Sequence, residues 1–434
     1  MPGFLQAARR RWARKPQSEL RSGAVLALAA IAACGEGSGT PDSWYGMDPA
    51  MPSDNGDVSV SPSSAPPQDL SGVVPIGPQL LGLHVVGNRI QTAEGETVRL
   101  RGVNRSGTEY QCVQNRGIFD GPASLASVQA IASWNVNAVR VPLNEACWLG
   151  INGVSATYSG PAYQRAILDY VALLHAFHIV PILDLHWTAP GAISADRLQP
   201  LPNLDHSPDF WRAVAETFKS DDGVVFEPFN EPFPDNNRDT ALAWQCWRDG
   251  CMANLAQPRL ANGMRPPPLP YAAAGMQSLV DAIRETGATN LILLGGVQYS
   301  NALTQWLSYV PNDPLSNLAA AWHIYDNNAC RSSECWNGVP TQVAAMYPVV
   351  VTELGQGDCS DQFIRPLLDW LDTQELGYLA WAWNAYGPCQ PRMGMQAGQP
   401  WSLVVDYASG MPNGAYAQAY HDHLMSTSNG LPRD

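Results

Sequence analysis

Hydrophobic residues from about residue 98 onward fall into short runs that alternate with polar or amphipathic sequence. Helical periodicity occurs between or after several of these runs, at residues 164–177, 210–219, 272–286 and 363–371. Buried strands that alternate with helices are typical of a parallel sheet covered by helices. The runs, rich in Val, Ile and Leu, are residues 98–103, 137–143, 179–187, 224–231, 290–296, 319–325, 349–354 and 378–384.

Eight such units over about 350 residues predict an α/β fold, the (β/α)8 or TIM barrel. A doubly wound sheet is the alternative, but no glycine-rich phosphate turn follows the first strand. Residues 83–86 and 89–90 flank the pair Gly87-Asn88, which is typical of a β-hairpin turn. We therefore expect a short N-terminal hairpin at the start of a catalytic domain spanning residues 79–434.

The sequence before residue 79 has a different character. Residues 34–78 are rich in Gly, Ser, Pro and Asp and have no hydrophobic period, which predicts a disordered linker. Residues 1–33 have the layout of an export signal, with six basic residues followed by an apolar stretch at residues 24–33.

The end of that stretch, Ile31-Ala32-Ala33-Cys34, resembles a bacterial lipobox, in which the cysteine carries lipid and becomes the mature N-terminus. The alternative is an ordinary secretory signal cleaved at a small residue, with Cys34 incidental. Both alternatives predict an exported protein, either extracellular or a cell-surface lipoprotein.

Composition and charge narrow the class of protein. Charged residues make up 15% of the chain and hydrophobic residues 45%, which is typical of an enzyme with a large core and excludes a coiled coil. The formal net charge is −14, and it becomes −19 without residues 1–33. A nucleic-acid partner is excluded because it requires a basic surface. We expect a monomer whose only membrane contact is a lipid on Cys34.

The number of cysteines, nine, is consistent with an exported protein. If Cys34 carries lipid, eight remain, and an even number in an oxidising compartment predicts four disulfides. A metal site would need compact Cys/Cys or Cys/His clusters, which the sequence lacks.

Polar residues recur where the predicted strands end, and in a barrel this is the face that carries function. Glu231 and Glu353 end strands 4 and 7, which places two carboxylates opposite each other across the mouth. Glycoside hydrolysis requires such a pair, because one carboxyl group protonates the leaving oxygen while the other attacks or activates water. The strand ends read LRGVN, VRVPL, DLHW, FNEP, WHIY, VTELG and WAWN.

In this order, the motifs resemble those of glycoside hydrolase family 5, the cellulase family, over about residues 80–425. The resemblance implies a retaining mechanism with Glu231 as acid/base and Glu353 as nucleophile. It further implies that Arg140 keeps Glu353 ionised, because a nearby cation lowers a carboxyl pKa. Tyr325 would donate a hydrogen bond to Glu353, and Asn230 would bind the sugar 2-hydroxyl.

The resemblance also assigns the walls of the −1 subsite. His186 and His323 would line it, and Trp381 would be its stacking platform. Trp383 competes for that role, because two residues along an extended strand point the same way. Trp187 is a further aromatic candidate for substrate contact.

Two more acidic residues, Asp184 and Glu227, share the barrel interior with these groups and could be catalytic. We interpret them as buried partners of Arg101 or Arg140, because a buried charge needs a partner. The two histidines of the −1 subsite could suggest a zinc pair, but Asn, Tyr and Trp neighbours favour sugar hydroxyls. We therefore expect neither a metal nor another cofactor.

The preferred function is an endo-β-1,4-glucanase acting on a β-linked polysaccharide or oligosaccharide. Rivals within the family act on β-mannan, β-1,3-glucan or another β-glycoside, and a carbohydrate-binding barrel without turnover is the rival from another class. The intact carboxylate pair argues against a mere binder. Residues 144–148 and 233–270 depart from the family pattern, which leaves the substrate open.

The barrel also predicts how the cysteines pair. Each of the eight follows a strand end, and bridged Cα atoms must lie within about 7 Å, so only neighbouring loops can be joined. The predicted disulfides are Cys112–Cys147, Cys246–Cys251, Cys330–Cys335 and Cys359–Cys389.

Overall fold

The computed structural model describes residues 70, 73–75, 77–260, 262–390 and 400–427. The predicted export signal, the lipidation site Cys34 and most of the predicted linker lie outside the described residues. Within the described ranges, no helix combines the length and the apolarity that a membrane span requires.

The described residues contain thirteen strands and twelve helices. The strands are β1 (His84–Val86), β2 (Arg89–Gln91), β3 (Thr97–Val98), β4 (Arg101–Asn104), β5 (Ala138–Asn144), β6 (Val180–Trp187), β7 (Val225–Glu227), β8 (Cys251–Asn254), β9 (Pro270–Ala273), β10 (Ile292–Gly295), β11 (Leu318–Tyr325), β12 (Val349–Gly355) and β13 (Gly377–Ala380). The helices are α1 (Leu125–Ala132), α2 (Glu145–Leu149), α3 (Pro161–Ala176), α4 (Ser207–Phe218), α5 (Pro234–Asn237), α6 (Ala241–Asp249), α7 (Met276–Glu285), α8 (Trp306–Tyr309), α9 (Ser333–Trp336), α10 (Val339–Ala344), α11 (Ile364–Thr373) and α12 (Gly414–Ser426).

Eight of the strands close into a parallel barrel in the order β4-β5-β6-β7-β10-β11-β12-β13, with β13 paired to β4. This confirms the predicted (β/α)8 fold, and each barrel strand overlaps one of the eight hydrophobic runs. The closest approach is between β4 and β5, where Gly102 lies against the Ala138 carbonyl. A Cβ atom at Gly102 would come within 1.7 Å of that oxygen, so only glycine fits.

The structure differs from the sequence prediction at the ends of some elements. Val98, expected to begin the first barrel strand, instead lies in β3 with Thr97 and pairs with β2, so that the hairpin is part of a three-stranded antiparallel sheet. In the long insert after β7, β9 occupies the position where a helix was expected to begin, and α7 starts at Met276. The ladder pairing also ends early, at Glu227 in β7 and at Ala380 in β13.

The core has two parts because successive residues of a barrel strand face opposite sides. In β6, Leu183 and Leu185 pack outward in the large cluster beneath the helices, whereas Val180 and Ile182 point into the barrel. The interior cluster includes Leu83 of the N-terminal sheet. That sheet closes the bottom of the barrel and leaves the other end, where the strands terminate, for the functional site.

All four predicted disulfides are present, and all lie in the segments that follow the carboxyl ends of barrel strands. Two of them join neighbouring loops: Cys112–Cys147 connects the loops after β4 and β5, and Cys359–Cys389 connects those after β12 and β13. Their Cα–Cα distances are 6.0 and 5.9 Å. The other two each close a short loop with a sequence separation of 5.

Removing the disulfide between Cys112 and Cys147 by the double substitution C112S/C147S should destabilise the protein more than removing a local disulfide. The bridge closes a loop with a sequence separation of 35. On the chain-entropy relation, losing this bridge costs about 4 kcal/mol of unfolding free energy, and losing a 5-residue bridge costs about 2 kcal/mol. Urea unfolding of C112S/C147S, with C330S/C335S as the matched control, measures both. Equal losses in the two variants would contradict the prediction.

Candidate active site

Arg140 lies at the centre of the upper barrel, and all of its guanidinium nitrogens have partners. Its Nε is 2.7 Å from Glu227 Oε2, one Nη is 3.0 Å from Asp184 Oδ2, and the other is 2.7 Å from Glu353 Oε1. Arg140 also donates to the side-chain oxygens of Asn104 and Asn230. One buried cation therefore connects residues of strands β4, β6, β7 and β12.

The prediction that Asp184 and Glu227 are buried partners of Arg140 is confirmed by these contacts. Arg101, the other arginine considered, pairs instead with Asp372 of α11. Burial raises the pKa of Asp184 and of Glu227 to about 7, with Arg140 acting in the opposite direction. Burial by itself would lower the pKa of Arg140, but its surrounding carboxylates outweigh that effect and the pKa is raised.

Glu353 receives hydrogen bonds on both carboxyl oxygens. Arg140 donates to Oε1, and the Tyr325 hydroxyl donates to Oε2 at 2.7 Å. Burial raises the pKa of Glu353 above its usual value, although Arg140 and the Tyr325 hydrogen bond act to lower it. These contacts favour the ionised carboxylate, as the sequence analysis expects for a nucleophile.

Glu231 faces Glu353 but has no cation beside it. Its Oε1 lies 3.0 Å from His323 Nδ1, and that same nitrogen is 3.6 Å from Glu353 Oε2. Burial, followed by the negative charge of Glu353, raises the pKa of Glu231 well above its usual value. The two facing carboxyl groups thus differ in environment, and Glu231 is the one that favours its protonated form.

His186 and Trp381 form the opposite side of this mouth. Their rings stack with centroids 5.3 Å apart and an interplanar angle of 11°. His186 Nδ1 is 2.6 Å from Asp184 Oδ2, and its Nε2 is 3.3 Å from Asn230 Nδ2. Burial and Arg140 lower the pKa of His186 to about 3, so the ring is neutral, donates to Asp184 and accepts from Asn230.

The two tryptophans considered for the stacking platform differ in exposure. Trp381 lies at the mouth and stays partly exposed, whereas Trp383 is fully buried, with its ring 5.0 Å from that of Trp134. Trp383 is therefore removed as a platform candidate. The expectation failed because ladder pairing in β13 ends at Ala380, so strand alternation does not extend to residue 383. Trp187 is partly exposed at the rim beside Tyr110, with ring centroids 6.2 Å apart.

A bulge in β12 brings a residue into the site that sequence reasoning missed. Trp322 pairs with Val351 and His323 pairs with Glu353, so Thr352 is an extra residue in the strand. Both Thr352 and Glu353 consequently bond to groups inside the barrel. The Thr352 hydroxyl contacts Glu227 at 3.0 Å and His323 Nε2 at 3.2 Å. A strict alternation of side chains would have assigned Thr352 to the opposite face.

The segment after β5, noted in the sequence as unusual, organises the loops around the mouth. Asn144 donates to the backbone oxygens of Glu109 and Ala195, in the loops after β4 and β6. The fully buried Glu145 carboxyl accepts from Asn203 at 2.7 Å and from Ser207 at 2.5 Å. Burial raises the pKa of Glu145 to about 7. These two side chains fix the long loop that leaves β6 directly after Trp187.

A second buried cluster holds the loops after β4 and β13 together. Arg105 is ion-paired with Asp120, whose carboxylate also accepts from the Tyr110 and Tyr386 hydroxyls. Arg105 also lies over the Tyr407 ring at 4.7 Å. Sequence reasoning missed this cluster because its members are up to about 300 residues apart in the chain.

The catalytic candidates themselves form the group best placed for a cation within the described ranges. Ligand atoms of Glu231, His323 and Glu353 all lie within 4.8 Å of one another. Glu353 already contacts Arg140 and Tyr325, and His323 contacts both Thr352 and Glu231.

Comparison with known proteins agrees with this geometry. The family model for cellulases, glycosyl hydrolase family 5, matches residues 92–387, which contain the whole barrel and both facing carboxyl groups. The chain belongs to glycosyl hydrolase family 5. The family 5 match covers more than half of the chain, and it includes every strand-end motif quoted above.

Individual family 5 relatives are distant. Endoglucanase E-5 of Thermobifida fusca is 22% identical over 76% of this chain, and the match spans only 62% of that enzyme. A mannan endo-1,4-β-mannosidase of Salipaludibacillus agaradhaerens is 19% identical over 70% of this chain and 82% of its own length. The crystal structure of a Saccharophagus degradans β-glucanase with cellotetraose matches with a TM-score of 0.57 and 18% identity, over 82% of this chain and 99% of that one.

Proposed function

We propose that this family 5 chain is a retaining β-glycoside hydrolase that uses Glu231 as acid/base and Glu353 as nucleophile. The observation that carries the proposal is the pairing of two facing carboxyl groups, the buried Glu353 and the partly exposed Glu231, that differ in environment. Glu353 is held by Arg140 and Tyr325, and Glu231 is not paired with a cation.

In the first step the ionised Glu353 attacks the anomeric carbon of the sugar in the −1 subsite. The bond between that carbon and the glycosidic oxygen breaks, and Glu231 gives its proton to the departing oxygen. Asn230 and His186 lie beside this position and supply polar contacts for the sugar, while Trp381 supplies a stacking face.

In the second step water attacks the anomeric carbon, Glu231 takes a proton from that water, and the Glu353 carboxylate leaves. The covalent bond has removed the charge of Glu353, which is the second largest cause of the raised pKa of Glu231. The pKa of Glu231 therefore falls in the intermediate, and the same residue becomes a base without moving.

The separation of the two groups supports retention of configuration. Oxygen atoms of Glu231 and Glu353 lie within 4.8 Å of each other. Retaining glycosidases hold their carboxyl groups about 5–5.5 Å apart, whereas inverting enzymes leave about 6.5–9.5 Å for a water molecule.

The proposed substrate is a β-1,4-linked glucan, cut internally. The T. fusca relative is an endoglucanase, and the S. degradans relative was crystallised with cellotetraose. A β-mannan is the second candidate, because the S. agaradhaerens mannosidase is matched over a larger share of its own length, 82% against 62%. β-1,3-Glucan and a binding-only role remain outcomes of the substrate test.

We also propose that the enzyme is exported, with lipid on Cys34 as its membrane attachment and a monomeric catalytic domain. The four disulfides support this location, because disulfides persist in oxidising compartments. Mass spectrometry of the mature N-terminus from the native host tests it, and an unmodified Cys34 or a terminus at another residue would refute the lipid.

Substitution of the two carboxyl groups should have different consequences. E353Q should lower kcat on β-glucan by at least about a thousandfold, since no nucleophile remains. E231A should lower the rate on β-glucan by about a hundred to ten-thousandfold, the usual contribution of general acid catalysis. An aryl glycoside with a strongly acidic phenol needs no proton, so E231A should form its glycosyl-enzyme nearly as fast as wild type in a burst measurement.

The matched control is E334Q, which changes an exposed carboxyl group on α9 and should leave both substrates unaffected. Equal losses on glucan and aryl glycoside in E231A would refute the acid/base role.

The sugar released first should keep the β configuration. Proton NMR during the first minutes of hydrolysis distinguishes the anomers before they equilibrate. An α-anomer as the initial product would show inversion and would exclude Glu353 as a nucleophile.

A reducing-sugar panel tests the substrate. Carboxymethylcellulose and lichenan should give the fastest release, followed by glucomannan, with mannan and xylan slow. Fastest release from mannan would identify the second candidate, and no release from any of them would leave β-1,3-glucan as the substrate or the binding-only role.

A further inference from the structure

Three buried side chains, Glu227, Thr352 and His323, form a continuous hydrogen-bonded series that ends at the partly exposed acid/base Glu231. Glu227 Oε1 is 3.0 Å from the Thr352 hydroxyl, which is 3.2 Å from His323 Nε2. His323 Nδ1 is in turn 3.0 Å from Glu231 Oε1. Glu227, Thr352 and His323 have no exposed surface, so water does not compete for these contacts.

The donors and acceptors available fix the direction of donation in this series of hydrogen bonds. A hydroxyl group has one proton to donate, and an ionised carboxylate can only accept. The ion pair between Arg140 Nε and the other oxygen of Glu227 favours its ionised form, and the Thr352 hydroxyl donates to Glu227 Oε1. The Thr352 oxygen then accepts from His323 Nε2, which must carry the hydrogen.

The other ring nitrogen of His323, Nδ1, determines where the proton lies in the contact with Glu231. Burial, with Arg140 and His186 next, lowers the pKa of His323 well below its usual value, so the ring is neutral and holds one hydrogen. That hydrogen is on Nε2, which leaves Nδ1 as an acceptor. A hydrogen bond between Nδ1 and Glu231 therefore requires the proton to be on Glu231.

We propose that Thr352 is a positioning residue that fixes the tautomer of His323 and thereby keeps Glu231 protonated in the resting enzyme. The inference rests on the acid/base role proposed for Glu231. Once Glu231 has given up its proton, its carboxylate faces the Nδ1 lone pair with no hydrogen between them. This contact disfavours the ionised form and helps Glu231 to recover a proton from the attacking water.

Other titratable groups face Glu231 or His323, and all of them are unchanged in the variants below. They are Arg140 on β5, Asp184 and His186 on β6, Glu227 on β7, Tyr325 on β11 and Glu353 on β12.

The test compares T352V with T352S. Valine has the shape of threonine without a hydroxyl group, so it frees His323 to carry its hydrogen on Nδ1 and donate to an ionised Glu231. The pKa of Glu231 should then fall. Catalysis needs Glu231 protonated, so the alkaline limb of the pH profile of kcat/KM on β-glucan should shift to a pH about one unit lower. At pH values above that limb, kcat/KM should therefore be about tenfold lower than in wild type. T352S keeps the hydroxyl group and should retain the wild-type limb.

Two further measurements separate this role from a merely structural one. Burst formation on an aryl glycoside with an acidic phenol should be nearly unchanged in T352V, since that step needs no proton. Nitrogen-15 NMR of labelled histidine should show the Nε2–H tautomer for His323 in wild type, assigned by its loss in H323Q, and a shift toward Nδ1–H in T352V.

A wild-type His323 with its hydrogen on Nδ1, or an alkaline limb unmoved in T352V, would overturn the proposal. The NMR measurement needs no substrate. If the wild-type protein had no glycosidase activity, the proposed function would be refuted. The NMR measurement would still determine the tautomer of His323.

Discussion

The upper half of the barrel depends on one buried cation. Arg140 balances three carboxylates from three other strands, and each is placed by the fork of the guanidinium group. Breaking a buried ion pair by removing one partner costs about 3–5 kcal/mol, because it leaves an uncompensated charge. Loss of Arg140 would leave three buried carboxyl groups without their cationic partner at once. The same side chain thus supports the fold and favours ionisation of the proposed nucleophile.

The rest of the site follows from how each carboxyl group is connected to that cation. Glu353 is bonded to Arg140 directly, while Glu231 is connected to that cation through Glu227, Thr352 and His323. Burial raises the pKa of both glutamates, but Glu353 has a bonded cation that favours its ionised form and Glu231, within 4.8 Å of it, does not. A glycosidase of the retaining type needs this division between nucleophile and acid.

Around this rigid centre, the loops are held by polar networks and covalent bridges more than by apolar packing. The Glu145 network fixes the loop after β6, and the Arg105–Asp120 pair fixes the loops after β4 and β13. The disulfides act on the same rim. Ordering a groove in advance reduces the entropy lost when a flexible glycan binds. These loops surround the catalytic carboxyl groups, so we expect substrate choice to reside there.

By itself, the sequence determined the barrel, the disulfide pairs and the position of both carboxyl groups at strand ends. These follow from local periodicity and from the rule that the carboxyl ends of parallel strands share one face. Tertiary structure alone decided three matters: the exclusion of Trp383 as a platform, the choice of Arg140 over Arg101 as the partner of Asp184 and Glu227, and the entry of Thr352 into the site. The first depends on where strand pairing ends, the second on which side chains of separate strands meet, and the third on a bulge that shifts the register by one residue. Such a shift is set by contacts between strands far apart in the chain, and a two-residue period cannot reveal it.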